Sequence, residues 1–228
     1  MQISVVIPAL NEAESIGEVL AGIPSSSDLE VLVVDGGSSD DTVAIAEAAG
    51  ARVINEPRRG YGRACASGLA AALGEVIVFM DADGADDPRE ILKLVAPILD
   101  HKIELVLGSR LKGKMEPGAM PWHQHAGNWL SARLIRLLYG LPLTDLSPFR
   151  AVLREKLLGL DMQEMTYGWP TEMLARAARG GWRVQEIPVS YRPRLGGKSK
   201  ISGTWKGSAL ATYYILRTIL RYRLEPQP

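Results

Sequence analysis

Short apolar runs alternate with longer mixed segments through the first half of the chain. Ile3 to Ile7 is such a run, ended by Pro8. Leu29 to Val34 is a second, Arg52 to Ile54 a short third, Val76 to Met80 a fourth and Leu105 to Leu107 a fifth. Runs that stay apolar at consecutive positions fit strands buried on both faces. The intervening segments carry helix signals. Asn11 with Glu14 three residues on reads as a capping box. Gly36 and Gly37 permit a tight turn, and Ser39 or Asp40 caps an alanine-rich helix from about Asp41 to Ala49. A further helix runs to about Leu73, and Pro88 suits the first position of one extending to Leu99. This alternation predicts an α/β fold: a mixed, mostly parallel sheet with helices on both faces and ligands at the carboxyl ends of its strands.

Beyond Gly108 the pattern changes. A loop rich in glycine, proline and lysine leads to Trp122 to Tyr139, an amphipathic helix with Trp129, Leu130, Leu134, Leu137 and Leu138 on its expected apolar side. Phe149 to Leu153 and Val184 to Tyr191 read as strands, and Trp169 to Arg179 as a helix. Arg192 to Lys200, with adjacent glycines, is expected to be a mobile basic loop. Trp205 to Arg223 mixes aromatic, leucine and basic positions, a composition suited to a bilayer interface.

The fourth run ends in Asp81-Ala82-Asp83. In an extended segment, residues two apart point the same way, so both carboxylates can leave the sheet edge together. A hard divalent cation, Mg²⁺ or Mn²⁺, relieves their repulsion and leaves coordination positions for substrate phosphates. Charge supports this division of labour. Residues 1–100 hold 17 acidic and 6 basic side chains, and residues 101–228 hold 9 and 20, so halves of −11 and +11 cancel to zero. An acidic half suits a cation, and a basic half suits phosphates or an anionic membrane surface. No nucleic-acid partner is expected.

Several classes are excluded. The first strand is followed by Pro8-Ala9-Leu10-Asn11-Glu12, not the glycine fingerprint of dinucleotide binding, and there is no P-loop. His101, His123 and His125 form no arrangement with serine or cysteine, and the latter two are expected at the surface or in a loop. The single cysteine, Cys65, precludes an internal disulfide and reads as a buried apolar residue. A phosphatase with catalytic aspartates on its first strand is excluded as well. Met1 to Ile7 runs directly into a strand pattern, and no run is apolar enough to span a bilayer, so a cytoplasmic location is expected, with peripheral contact at the membrane face.

In this order Pro8-Ala9-Leu10-Asn11-Glu12, Val33-Val34-Asp35-Gly36-Gly37-Ser38-Ser39-Asp40, Gly60-Tyr61-Gly62-Arg63-Ala64 and Asp81-Ala82-Asp83 resemble the family 2 glycosyltransferases of the GT-A fold. Gly108-Ser109-Arg110, Leu146 to Ala151 and the Arg194–Lys200 segment resemble later motifs of the dolichyl- or polyprenyl-phosphate sugar synthases. The resemblance implies one domain over 1–228, with a nucleotide-sugar half (1–108), an acceptor half (109–204) and an amphipathic helix and tail (205–228). It implies that Pro8, Ala9, Leu10, Asn11 and Glu12 line the base and ribose, that Asp35 contacts the base, and that Gly60, Gly62 and Arg63 meet the nucleotide. Asp81 and Asp83, with Ala82 between them, would hold Mg²⁺ or Mn²⁺ on the diphosphate. Arg110, Arg194 and Lys200 would clamp the diphosphate or the acceptor phosphate, with Arg150 and Lys198 as further binding candidates.

The expected reaction is inverting transfer of a hexose from a nucleotide sugar to a polyprenyl or dolichyl phosphate. A soluble acceptor and a non-catalytic adaptor are the alternatives. For a hydroxyl acceptor, Asp86, Asp87 or Glu172 would have to act as base. The mannose branch reads D-A-D-L-Q-H-P-P, whereas Gly84-Ala85-Asp86-Asp87-Pro88 follows here, which sets glucose beside mannose as the sugar.

Overall fold

The computed structural model describes residues 2–100, 102–197 and 205–224. Its strands are β1 (Ile3–Ala9), β2 (Leu29–Asp35), β3 (Arg52–Asn55), β4 (Val76–Phe79), β5 (Leu105–Ser109), β6 (Arg150–Leu153) and β7 (Val184–Pro188). The helices are α1 (Ile16–Gly22), α2 (Thr42–Ala48), α3 (Tyr61–Ala71), α4 (Ile91–Leu99), α5 (Trp122–Tyr139), α6 (Arg154–Gly159), α7 (Trp169–Arg179) and α8 (Trp205–Leu224). The seven strands form one sheet in the order β3-β2-β1-β4-β6-β5-β7. Only β6 runs against the rest, pairing antiparallel with both β4 and β5.

Alternate side chains of the central strands feed two cores. Val5, Ile7, Val33, Val76 and Val78 pack beneath α1, α2 and α4. Val6, Leu32, Val34, Ile77 and Phe79 face α3, α5 and α7. All four residues of β4 are buried, and burial contributes roughly 1.5–3 kcal/mol for each large apolar side chain. That explains the unbroken apolar runs in the sequence.

β1 continues through Pro8, contrary to the expectation that proline ends it. Pro8 pairs in register with Val34. Its missing N–H would face β4, whose pairing with β1 has already stopped at Val6 and Phe79, so no ladder bond is lost. The capping box at Asn11 does not form either. Asn11 takes a positive φ of 50°, its Oδ1 accepts from Ser39 N at 2.8 Å, and α1 starts only at Ile16. The N-cap position of α2 is Asp41, not Ser39 or Asp40; Asp40, one residue earlier, accepts from Thr42 N at 3.1 Å.

The expected apolar stripe of α5 is largely outward. Its buried residues are Ser131, Ala132 and Ile135, whereas Trp129, Leu130 and Leu137 are exposed. α8 packs against the inward face: a Cβ on Gly127 would lie 3.5 Å from Thr212 Oγ1, in ordinary contact. No helix among the described residues is long and apolar enough to cross a membrane.

Candidate active site

The order β3-β2-β1-β4 reverses direction of winding at β1 and β4, and a cavity of about 580 Å³ opens at their carboxyl ends. Pro8, Ala9, Leu10 and Glu12 supply its wall from β1. Glu56, Gly60 and Tyr61 close the side beyond β3. Asp81, Ala82 and Asp83 form the base beyond β4. Arg110 and Arg194 enter from the second half, and α5 and α8 form the far wall through Asn128, Ser131, Thr212 and Ile215.

The aspartate pair crowds two carboxyl groups together at the base of the cavity. Burial, and next the Asp83 carboxylate, push the Asp81 carboxyl up to about 7; Arg110 and Tyr61 pull it the other way, and Glu12 adds to the rise. Asp83 is oriented by its own turn, with Oδ1 accepting from Ala85 N at 2.9 Å. Its Oδ2 faces the Arg194 Nη2 at 3.7 Å. The same Nη2 donates to Glu12 Oε2 at 3.2 Å. Glu12 is positioned by Thr42, whose hydroxyl accepts from Glu12 N at 2.8 Å. Ser15 Oγ ties this segment to the metal-ready one by donating to Ala82 O at 2.8 Å. Two carboxylates, one destabilised as an anion by the other, fit a Mg²⁺ or Mn²⁺ ion whose remaining positions are filled by phosphate oxygens and water.

The described part of the basic segment after β7 is hydrogen-bonded over this site. Leu195 N donates to Asp83 O at 3.0 Å, Arg192 N to Ala85 O at 3.0 Å, and Gly197 N to Glu14 Oε2 at 2.8 Å. Lys198 and Lys200 lie outside the described residues.

Other expected residues sit elsewhere. Asp35 turns its carboxylate to its own loop, accepting from Gly37 N at 3.0 Å and Ser38 N at 3.1 Å. Neither it nor Asn11 lines the cavity, although Gly36 does. Gly60 lines the cavity and Gly62 does not; both also sit against protein backbone. A Cβ on Gly60 would meet Met165 O at 2.3 Å, and one on Gly62 would meet Glu164 O at 2.5 Å. Arg63 is held beside them through its backbone N, which donates to Met165 O at 3.1 Å. Arg150 is fully buried and donates to the carbonyls of Pro170 (2.8 Å) and Ser147; burial depresses its pKa to about 10. It supports the loop before β6 and does not line the cavity.

The three suggested bases are also outside the lining. Asp87 pairs with Arg89, and Glu172 accepts from Gln163 N, Glu164 N and Tyr222 Oη. Asp86 is buried, with its pKa pushed well up by burial and by Asp81. His123 and His125 both belong to α5, and His123 lines the cavity. Cys65 is buried, which raises its thiol pKa, in keeping with its reading as an apolar residue. Sequence reasoning missed Glu56, Tyr191, Asn128 and Asp145; only Glu56, directly after a strand, carried a positional signal.

The mostly parallel sheet with one reversed strand is the arrangement of the GT-A fold, and solved structures agree. Glucosyl-3-phosphoglycerate synthase from Mycobacterium tuberculosis, in complex with Mn²⁺, uridine diphosphate and phosphoglyceric acid, matches with a TM-score of 0.79 at 28% identity, over 99% of this chain and 79% of that one. The model of the Glycosyl transferase family 2 matches residues 4–159, and the chain belongs to that family. An uncharacterized glycosyltransferase of Mycobacterium bovis is 44% identical over 92% of this chain and 94% of its own. A dolichyl-phosphate hexose transferase of Haloferax volcanii is 35% identical over 98% and 96%. An undecaprenyl-phosphate mannosyltransferase of Micrococcus luteus is 31% identical over 92% and 91%.

Proposed function

We propose that the protein transfers a hexose, with inversion, from a nucleotide sugar to a polyprenyl phosphate at an anionic membrane surface. One observation carries the lipid acceptor: the two helices that wall the cavity opposite the aspartates also expose apolar faces. On α8, Leu210, Tyr213, Leu220 and Leu224 are exposed at helical spacing with Arg217 among them. On α5, Trp122 (72% exposed) and Leu137 (77% exposed) share such a face with Arg133 and Arg136. Leucine and aromatic side chains interleaved with arginine suit the headgroup region of a bilayer, and an acceptor phosphate there would reach the cavity between the same helices.

The residues divide the chemistry. Glu12 and the β1 end contact the nucleoside, and Asp81 and Asp83 hold Mg²⁺ or Mn²⁺. When bound, the cation neutralises charge developing on the departing diphosphate. Arg110 is a fixed cation for a substrate phosphate. A phosphate monoester is already anionic at neutral pH and needs no base to attack the anomeric carbon. The carboxylates lining the cavity, among the described residues, are Glu12, Glu56, Asp81 and Asp83. Two of them are assigned to metal, Glu12 holds Arg194, and Glu56 is committed to Arg58 and Ser67.

A soluble phosphate-bearing acceptor is the second reading, favoured by the match to the synthase complexed with phosphoglyceric acid. The test supplies UDP-glucose or GDP-mannose with Mn²⁺ and offers polyprenyl phosphate in anionic vesicles beside 3-phosphoglycerate. Label extracted with the lipid supports the proposal. Label retained only in the aqueous phosphoester overturns it in favour of the second reading.

A further inference from the structure

Arg110 reaches the cavity, yet most of its donors are directed away from it. Its backbone N and its Nε both donate to Asp145 Oδ2, at 2.8 and 2.9 Å, and its Nη2 donates to Asp145 Oδ1 at 2.6 Å. Asp145 is fully buried. On one face of the guanidinium the Tyr191 ring lies 5.0 Å from Arg110 Cζ. A carboxylate gripping one edge of the planar fork and a ring gripping its face leave little rotational freedom, so the remaining Nη1 edge has a set direction.

Asp145 is itself held from behind. The Glu186 carboxylate of β7 accepts from Thr144 N at 2.8 Å and Asp145 N at 2.9 Å, and Lys112 pairs with it at 2.8 Å. Thr144 Oγ1 lies 2.9 Å from Ser109 Oγ, next to Arg110 in the chain. The strand carrying Glu186 is parallel to β5 and in register with it, Leu107 opposite Glu186. A rigid sheet therefore aims a side chain that sits on an irregular loop.

We propose that Asp145 is a positioning residue for glycosyl transfer: it fixes the Arg110 fork against a substrate phosphate, and Glu186 fixes Asp145. This rests on the reading of Arg110 as a phosphate contact. Asp145 touches no substrate and acts through Arg110 alone. A preorganised donor needs no reorientation as charge develops, so releasing it costs rate.

The test is a double-mutant cycle of D145N and R110A, read as kcat/KM for UDP-glucose with polyprenyl phosphate. D145N keeps the volume but turns an amide toward the fork. The expected result is a loss of about tenfold or more in wild type, mostly in kcat, and no more than about twofold in the R110A background. Equal losses in both backgrounds, or full activity of D145N, overturn the proposal. Should D145N fail to fold, E186Q takes its place in the same cycle, with a smaller loss that again vanishes without Arg110. The cycle is repeated on donor hydrolysis, which needs no lipid. Background-dependent loss in hydrolysis with no lipid product removes the lipid acceptor and keeps the role of Asp145. Additive losses in an enzyme that does glycosylate lipid do the reverse.

Discussion

The strand-end half of the cavity and its helical half hold their residues in different ways. At the ends of β1 and β4, side chains are tied by short bonds to neighbouring backbone: Asp83 to Ala85, Glu12 through its N–H to Thr42, Ser15 to Ala82. α5 and α8 turn Ser131, Ala132, Ile135, Thr218, Ile219 and Tyr222 inward, while Trp122, Trp129, Leu137, Tyr213 and Leu220 remain exposed. The first half is held by its own hydrogen bonds, which suits the proposed metal and diphosphate site. The second is finished on one side only, which suits a surface completed by lipid.

The largest effect that would sharpen this contrast is expected at the aspartates. D81N removes one metal-ready carboxylate and should lower turnover by about 100-fold or more, measured with saturating Mn²⁺, while leaving vesicle binding unchanged. Paired substitution L137E/L220E, on the exposed faces of α5 and α8, should lower transfer to polyprenyl phosphate in vesicles by about tenfold, since each places a charge where apolar contact is expected. Hydrolysis of the donor should stay at the wild-type rate. Loss of both activities in that variant would erase the distinction between the halves.

A smaller effect is expected where α3 meets the Glu164–Met165 backbone. G62A drives a methyl group into the Glu164 carbonyl, 2.5 Å from its ideal position. Overpacking of this kind costs about 1–3 kcal/mol, read as a fall of several degrees in Tm.

The smallest is a pH dependence of the metal-free protein. Asp81, with its pKa raised to about 7, holds its proton more tightly folded than unfolded. Folded protein therefore binds the extra proton between about pH 4, the ordinary carboxylate value, and pH 7. Stability falls as pH rises through that window. Thermal melts without metal should show this decline, D81N should lessen it to the part that Asp86, also raised by burial, contributes, and Mn²⁺ should stabilise more at pH 8 than at pH 6.

The sequence was most legible where burial is two-sided. The apolar run Val76 to Met80 is a central strand over Val76–Phe79, and its end delivers Asp81 and Asp83 to the cavity as expected. It misled where a residue type serves two ends. Gly60 and Gly62 signal close approach, but the sequence does not say to what: both meet the Glu164–Met165 backbone, and Gly60 lines the cavity as well. The leucines of α5 looked like a core stripe because periodicity marks an apolar face without saying what covers it. Asp145 was invisible because its meaning lies in a pairing with Arg110 across 35 positions.

The central claim is that Asp81 and Asp83 bind a nucleoside diphosphate through a divalent cation. Calorimetric titration of UDP into wild type and D83N, with and without Mn²⁺, tests it most directly. The account predicts binding that appears with Mn²⁺ in wild type and is lost in D83N. UDP affinity that is indifferent to the metal, or retained in D83N at the wild-type level, would contradict it.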